Sequence, residues 1–214
     1  MTGSKPFHDP FSLKSVTFMD DVGSIGNYSF SGCTDLTSIV FSKKVYSFGS
    51  YAFFNCKNLV SFTIPDSVIS IGNNAFNNCY SLTSITIPTS IISIRNGTFA
   101  NCHSLTSITI PNSVTSIESN AFANCTKLNS AIFENDIKSF AGFVFNGSKI
   151  GLAKFMKEID LFNGDIFFGG CSVNEIIFNS KVKTINKNSF SRSSTLTSVT
   201  FCNDVESIGD YAFY

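Results

Sequence analysis

"SLTSITIPTS" occupies residues 81–90 and "SLTSITIPNS" occupies residues 104–113, 23 positions further on. A near-identical phrase at a fixed distance makes the repeat the structural unit, to be read before any single motif. The step of 23 holds along the chain. Leucine recurs at Leu13, Leu36, Leu59, Leu82, Leu105 and Leu128, and cysteine at Cys33, Cys56, Cys79, Cys102 and Cys125. Phenylalanine recurs at Phe30, Phe53, Phe76, Phe99, Phe122 and Phe145. One residue is lost between Phe145 and Ile150, after which Ile150, Val173 and Leu196 resume the step. Each unit is apolar at its first position and again three, five, nine, twelve and seventeen residues later. The fifth unit reads Leu105, Ile108, Ile110, Val114, Ile117 and Phe122; the divergent seventh reads Ile150, Ala153, Phe155, Ile159, Phe162 and Phe167. Nine units carry the pattern, the last cut off at Phe213.

A unit of this length cannot enclose a core alone, so its apolar positions must be buried against identical neighbours. The second half of "LTSITIP" alternates apolar residues with Ser and Thr and is rich in β-branched side chains, which predicts a strand. Pro65, Pro88 and Pro111 end that strand in three central units, where a missing N–H harms a ladder least. "SVTSI" (113–117) predicts a second short extended piece. "ESNAFANC" (118–125) suits a single helical or 3₁₀ turn with Phe122 pointing inward. The expected fold is therefore a solenoid of stacked parallel strands, a rod of roughly 40 Å at about 4.8 Å per rung. Residues 1–11 form an N-terminal segment, with Phe7 and Phe11 as capping side chains, and residues 12–214 a single solenoid, irregular around 146–171.

Only 14% of the 214 residues are charged, against about a quarter in ordinary chains, and the 15 basic side chains balance the 15 acidic ones. Such a chain is not built for electrostatic capture of nucleic acid or anionic membrane. No apolar run approaches the roughly 20 residues that span a bilayer. The opening "MTGSKPFHDPFSLKSV" lacks the apolar segment of a secretory signal. A cytoplasmic protein, export by another route and a trimmed fragment all fit this beginning.

"SLTSITIPNSVTSIESNAFANC" resembles the BspA-like class of leucine-rich repeats, through Leu105, Ile108, Ile110, Pro111, Val114, Ile117, Ala121, Phe122 and Cys125. Ser67, Ser90 and Ser113 stand where the general leucine-rich pattern has Asn or Cys, which separates the chain from ribonuclease-inhibitor-style repeats. The resemblance implies a β-dominant leucine-rich repeat solenoid with short helical or 3₁₀ turns. It also implies a surface or secreted protein that adheres to host matrix or cell-surface proteins. An intracellular scaffold for protein–protein interaction is the alternative. The sequons at Asn27, Asn96, Asn124 and Asn146 bear on that choice, although Asn124 lies beside a core cysteine where a glycan fits poorly.

The residues themselves give no support for catalysis, a cofactor or a metal site. Five of the seven cysteines share one register, with Ser148, Gly170 and Ser193 taking that place later, so a reduced packing ladder is expected. Disulfides between neighbouring rungs are the competing reading and would pair at most four of the five. Cys171 and Cys202 fall outside the register. His8 lies in the N-terminal segment and His103 at a variable position held elsewhere by Thr34, Lys57, Tyr80 and Thr126. Asp20, Asp21, Glu134 and Asp136 sit in turns after strands, and no phosphate-binding loop is present.

The residues two and four places after each first Leu face away from the core. They are Ser15 and Thr17, Ser61 and Thr63, Ser84 and Thr86, Ser107 and Thr109, and Ser198 and Thr200. A hydroxyl face of this kind suits a solvated sheet. In units six to eight it changes to Ser130 and Ile132, Leu152 and Lys154, and Glu175 and Ile177. Ile132, Leu152, Lys154, Glu175 and Ile177 are therefore the candidate partner-binding residues, an apolar patch with one charge of each sign. The second expected surface is the C-terminal "GDYAFY", whose uncapped rung suggests a longer array or end-to-end self-association.

Overall fold

The computed structural model describes residues 12–41, 44–135, 137, 139–162, 168, 170–191 and 193–214. The expectations placed on Phe7, His8, Phe11, Asp136 and Phe167 fall outside the described residues.

Two short strands recur in every rung. The first rungs hold β1 (Ser15–Phe18), β2 (Gly23–Ile25), β3 (Ser38–Phe41), β4 (Val45–Phe48), β5 (Ser61–Thr63) and β6 (Ser70–Ile71). The middle rungs hold β7 (Ser84–Thr86), β8 (Ser93–Ile94), β9 (Ser107–Ile110), β10 (Ser116–Ile117), β11 (Ser130–Phe133) and β12 (Ser139–Phe140). The last rungs hold β13 (Lys149–Phe155), β14 (Ile159–Phe162), β15 (Ser172–Phe178), β16 (Val182–Ile185), β17 (Ser198–Phe201) and β18 (Val205–Ile208). Every pairing is parallel, and odd strands pair only with odd, even only with even. The registers follow the sequence step, as in Ser15↔Ser38 and Ser107↔Ser130. The result is a parallel β-solenoid with two strand faces and a third side made of turns.

The recurring apolar positions of the repeat fill the centre. Leu36, Leu59, Leu82, Leu105, Ile108, Ile110, Val114 and Phe122 are buried. Phenylalanines of successive rungs stack: Phe76 on Phe99 at 5.6 Å, Phe99 on Phe122 at 5.4 Å and Phe122 on Phe145 at 5.3 Å. Offset stacking of this kind adds to the burial of each ring.

The turn side differs from the expected helical turn. Two residues per rung, four apart, adopt left-handed φ. One set is Tyr28, Tyr51, Asn74, Gly97, Asn120 and Phe143; the other runs Gly32, Asn55, Asn78, Asn101, Asn124, Gly147 and Gly170. A right-handed helix cannot contain them. Their N–H groups, and that of the residue midway between them, turn along the solenoid axis and donate to the next rung. Asn74 donates to Asn96 O at 2.9 Å, Phe76 to Thr98 O at 2.9 Å and Asn78 to Ala100 O at 3.0 Å. The turns thus form a third hydrogen-bonded ladder, which meets the demand that buried backbone groups be paired. Asn and Gly are the residues that tolerate this conformation best, which accounts for the asparagine-rich "NAFNNC" and "NAFANC" phrases.

The five in-register cysteines lie buried beneath these turns, and all seven thiols of the chain are free. Each thiol reaches back one rung to a phenylalanine carbonyl: Cys56 to Phe30 O at 3.2 Å, Cys79 to Phe53 O at 3.3 Å, Cys102 to Phe76 O at 3.4 Å and Cys125 to Phe99 O at 3.4 Å. Ser148 repeats the contact with its hydroxyl, donating to Phe122 O at 2.6 Å.

The register after the lost residue also differs from the expectation. The loss falls between Ser148 and Ile150, and one extra residue between Phe162 and Phe168 restores the step of 23 for the phenylalanine and cysteine columns. Phe168 fills the core slot of this rung, buried and 6.2 Å from Phe145. Cys171, not Gly170, occupies the cysteine position, its N–H donating to Phe168 O at 2.9 Å as that of Ser148 does to Phe145 O. Gly170 instead continues the left-handed column.

Candidate functional site

The odd strands build one face, and its length varies for two local reasons. β5, β7 and β9 are followed by Pro65, Pro88 and Pro111, which have no N–H to carry the ladder onward. From β11 on, the prolines give way to Glu134, Met156, Asn179 and Cys202. Their N–H groups add one more bond to the preceding rung: Glu134 to Ile110 O at 3.0 Å, Met156 to Phe133 O at 2.9 Å and Asn179 to Phe155 O at 2.9 Å. At the other end, loss of a turn residue lets β13 and β15 begin directly after Ser148 and Cys171, so both run to seven residues. β9, β11, β13, β15 and β17 join into one five-stranded sheet, the widest in the described residues.

The five candidate residues lie on this sheet and are brought together in two adjoining rows. Register pairs Ser130 with Leu152 and Leu152 with Glu175; it pairs Thr109 with Ile132, Ile132 with Lys154 and Lys154 with Ile177. Ser198 and Thr200 follow the last members. Ser15, Thr17, Ser61, Thr63, Ser84, Thr86, Ser107, Thr109, Ser198 and Thr200 are all exposed, as an outward face requires. Ile132, Leu152, Lys154, Glu175 and Ile177 are half-buried, since longer side chains on one face shade each other. The inward neighbours are fully packed: Ala131, Phe133, Ala153, Phe155, Ile176 and Phe178. Phe133, Phe155 and Phe178 stack at 4.6 and 5.1 Å directly behind the patch, which gives it a stiff backing.

The remaining titratable groups are dispersed. His103 stacks on Tyr80 at 5.0 Å, and its Nδ1 lies 2.8 Å from Asn124 O, so Nδ1 carries the proton and donates. Lys57 Nζ stands 5.7 Å from the same tyrosine ring. Asp21 Oδ1 accepts the Lys44 N–H at 2.9 Å, one rung on. Among the described residues no three His, Cys, Asp or Glu side chains converge as metal ligands would, and no helix is long and apolar enough to cross a membrane. Burial pushes the thiols of Cys56, Cys79 and Cys102 well up, and those of Cys125 and Cys171 up to about 12, with hydrogen bonds to backbone opposing the shift.

Two features escaped the sequence reading. Val40, exposed, belongs to the same outward row as Thr17. Tyr46, Ile69 and Ile92 form an exposed apolar column on the even-strand face. Their step of 23, at a position filled by Thr115, Lys183 and Glu206 in other rungs, was the available signal.

The architecture defines a leucine-rich repeat protein. The family description "BspA type leucine rich repeat region (6 copies)" matches residues 2–105, 47–169 and 92–214, and the chain belongs to that family. A leucine-rich repeat protein from Bacteroides ovatus is 24% identical, over 99% of this chain and 67% of that one, with a TM-score of 0.55. The leucine rich repeat protein of T. pallidum is 25% identical over 88% of this chain and 67% of its own, with a TM-score of 0.52. A leucine-rich repeat protein from Eubacterium ventriosum is 18% identical over 96% and 83%, with a TM-score of 0.57. These likenesses carry the fold. No functionally curated protein matches the sequence.

Proposed function

We propose that this chain is a non-catalytic adhesion module, displayed on a cell surface or secreted, that engages a host matrix or cell-surface protein. Membership of a repeat family that presents long open faces supports an interaction role. The carrying observation is the patch. On β11, β13 and β15 the hydroxyl face is replaced by Ile132, Leu152 and Ile177 with Lys154 and Glu175 between them, on the widest part of the sheet. Three aliphatics supply apolar area, and one charge of each sign fixes the partner's orientation through its complementary pair.

The test is binding of the purified chain to immobilised fibronectin-type matrix proteins and to whole cells, beside the Ile132→Thr/Ile177→Thr double variant. Saturable binding by the parent chain, weakened at least tenfold in the variant, is the expected result. The far-ultraviolet circular dichroism of the two should coincide. Equal binding by both would remove the patch from the reading. No binding by either would favour a scaffold working inside the cell.

A further inference from the structure

Leu152, Lys154, Glu175 and Ile177 occupy the four corners of one cell of the wide sheet. Leu152 and Lys154 stand two residues apart on β13, and Glu175 and Ile177 two apart on β15. The register sets Leu152 beside Glu175 and Lys154 beside Ile177. The two charges therefore lie on one diagonal of the cell and the two aliphatics on the other. Diagonal neighbours in a sheet are about 7–8 Å apart. Across that distance the charges do not meet, and neither Lys154 nor Glu175 has an ion-pair partner among the described residues.

The even-strand side treats its charges differently. There Arg95 meets Glu118 at 3.2 Å, Lys183 meets Glu158 at 3.9 Å, and Lys181 meets Glu206, each pair spanning neighbouring rungs. The two charges of the patch are half-buried beside aliphatic side chains and still unmatched. Side chains of opposite sign brought against them from outside gain on both counts, which is charge complementarity at an interface. The cell is its own complement. A two-fold axis lying in the face along the Leu152–Ile177 diagonal turns a second copy over onto the first. It sets Lys154 of each copy against Glu175 of the other, and Leu152 and Ile177 each against its own counterpart.

We propose that two copies of this chain dimerise face to face about that axis, through β13 and β15. The flanking outward positions, Ser107, Thr109, Ser198 and Thr200, are small, so nothing holds the two faces apart. The stacked Phe133, Phe155 and Phe178 behind the cell keep it flat without rearrangement. The axis runs obliquely to the solenoid, so the two rods cross and touch only over the widened rungs. That contact falls at the low end of specific interfaces, below about 1,200 Å² in total, and the dimer is weak and reversible. One consequence rests on the reading of the patch as the adhesion surface. Dimer and partner then compete for the same side chains, so crowded copies are closed to the partner and dispersed copies are open.

The experiment is sedimentation equilibrium of the full chain over a range of concentrations, beside charge variants that keep its melting temperature. The parent should show a monomer–dimer equilibrium. Lys154→Glu makes the patch doubly acidic and Glu175→Lys makes it doubly basic, so each alone should dimerise about tenfold more weakly. Mixed in equal amounts, the two should associate as the parent does, since each copy supplies the charges the other needs. The Lys154→Glu/Glu175→Lys double variant should also dimerise like the parent, a result that a foreign partner of fixed charge does not give. Adding Leu152→Thr/Ile177→Thr to both members of the mixture should abolish the recovery, which separates a docked face from loose attraction between opposite charges. A parent that stays monomeric, single variants that dimerise like it, or a mixture that does not recover would overturn the proposal. Matrix binding without a dimer would sink the dimer and leave the adhesion reading standing; a dimer without matrix binding at any dilution would do the reverse.

Discussion

Asn101 shows how much a single residue carries in this fold. It sits at φ +59, donates through its side chain to Asn77 Oδ1 and accepts from the Asn124 amide, both at 2.8 Å. Asn101→Ala loses these bonds and places a Cβ in the left-handed region, so denaturant unfolding should show a loss of about 2 kcal/mol. Asn101→Gly keeps the conformation without strain and should cost visibly less. Phe99, stacked on both sides within the core, is the opposite kind of residue. Phe99→Ala should cost about 3–5 kcal/mol by the same measurement, since rigid neighbours cannot close the void. The buried thiols give a pH dependence. Their folded pKa is raised, so their contribution is complete below the unfolded value near 9 and is lost as pH climbs through the folded one. Melting temperature should hold to about pH 8 and fall steadily from 9 to 11, less steeply in Cys102→Ala. At neutral pH a maleimide should label exposed Cys202 at once and the five ladder thiols only on unfolding.

At the level of elements, the strands were legible and the turns were not. Period-two alternation in "LTSITI", the prolines after it and the short "SVTSI" piece carry physical signals that depend on nearest neighbours alone. β9 and β10 lie where those signals put them. The turn was misread because Ala and polar residues are compatible with a helix, whereas the decisive property is left-handed φ at two asparagines. That property is favourable only when a neighbouring rung offers carbonyls to the N–H groups turned toward it. The register error at Gly170 has a simpler origin. The loss before Ile150 is cancelled by one extra residue between Phe162 and Phe168, so it does not carry on into the cysteine column. The sequons are reinterpreted at this scale as well. Thr98 and Ser148 are buried with their hydroxyls bonded to Arg95 O and Phe122 O, and the Asn124 amide is bonded to Asn101. Asn124→Gln should therefore lower stability in protein made without any glycosylation, which a glycan-acceptor role does not predict.

For the whole molecule, the candidate patch was visible as a break in a pattern, and its setting was not. The sequence shows Ile132, Leu152, Lys154, Glu175 and Ile177 replacing hydroxyls. It does not show that loss of proline and loss of one turn residue widen the sheet under those residues. Because the five side chains face outward over a packed phenylalanine stack, Ile132→Thr/Ile177→Thr should shift the unfolding free energy by no more than about 1 kcal/mol. A larger loss in denaturant titration would mean the patch serves the core.

The turn ladder gives the molecule a direction. Along the asparagine side every second N–H points to the following rung, from Tyr28 bonded to Ser50 O through Phe190 bonded to Ala212 O, while the N–H groups between them bond within their own rung. The peptide dipoles of that ladder all point the same way, so the rod has a head and a tail, as an arrow does. A linear partner that reads several rungs meets a different surface when it is reversed. It is therefore bound in one sense only.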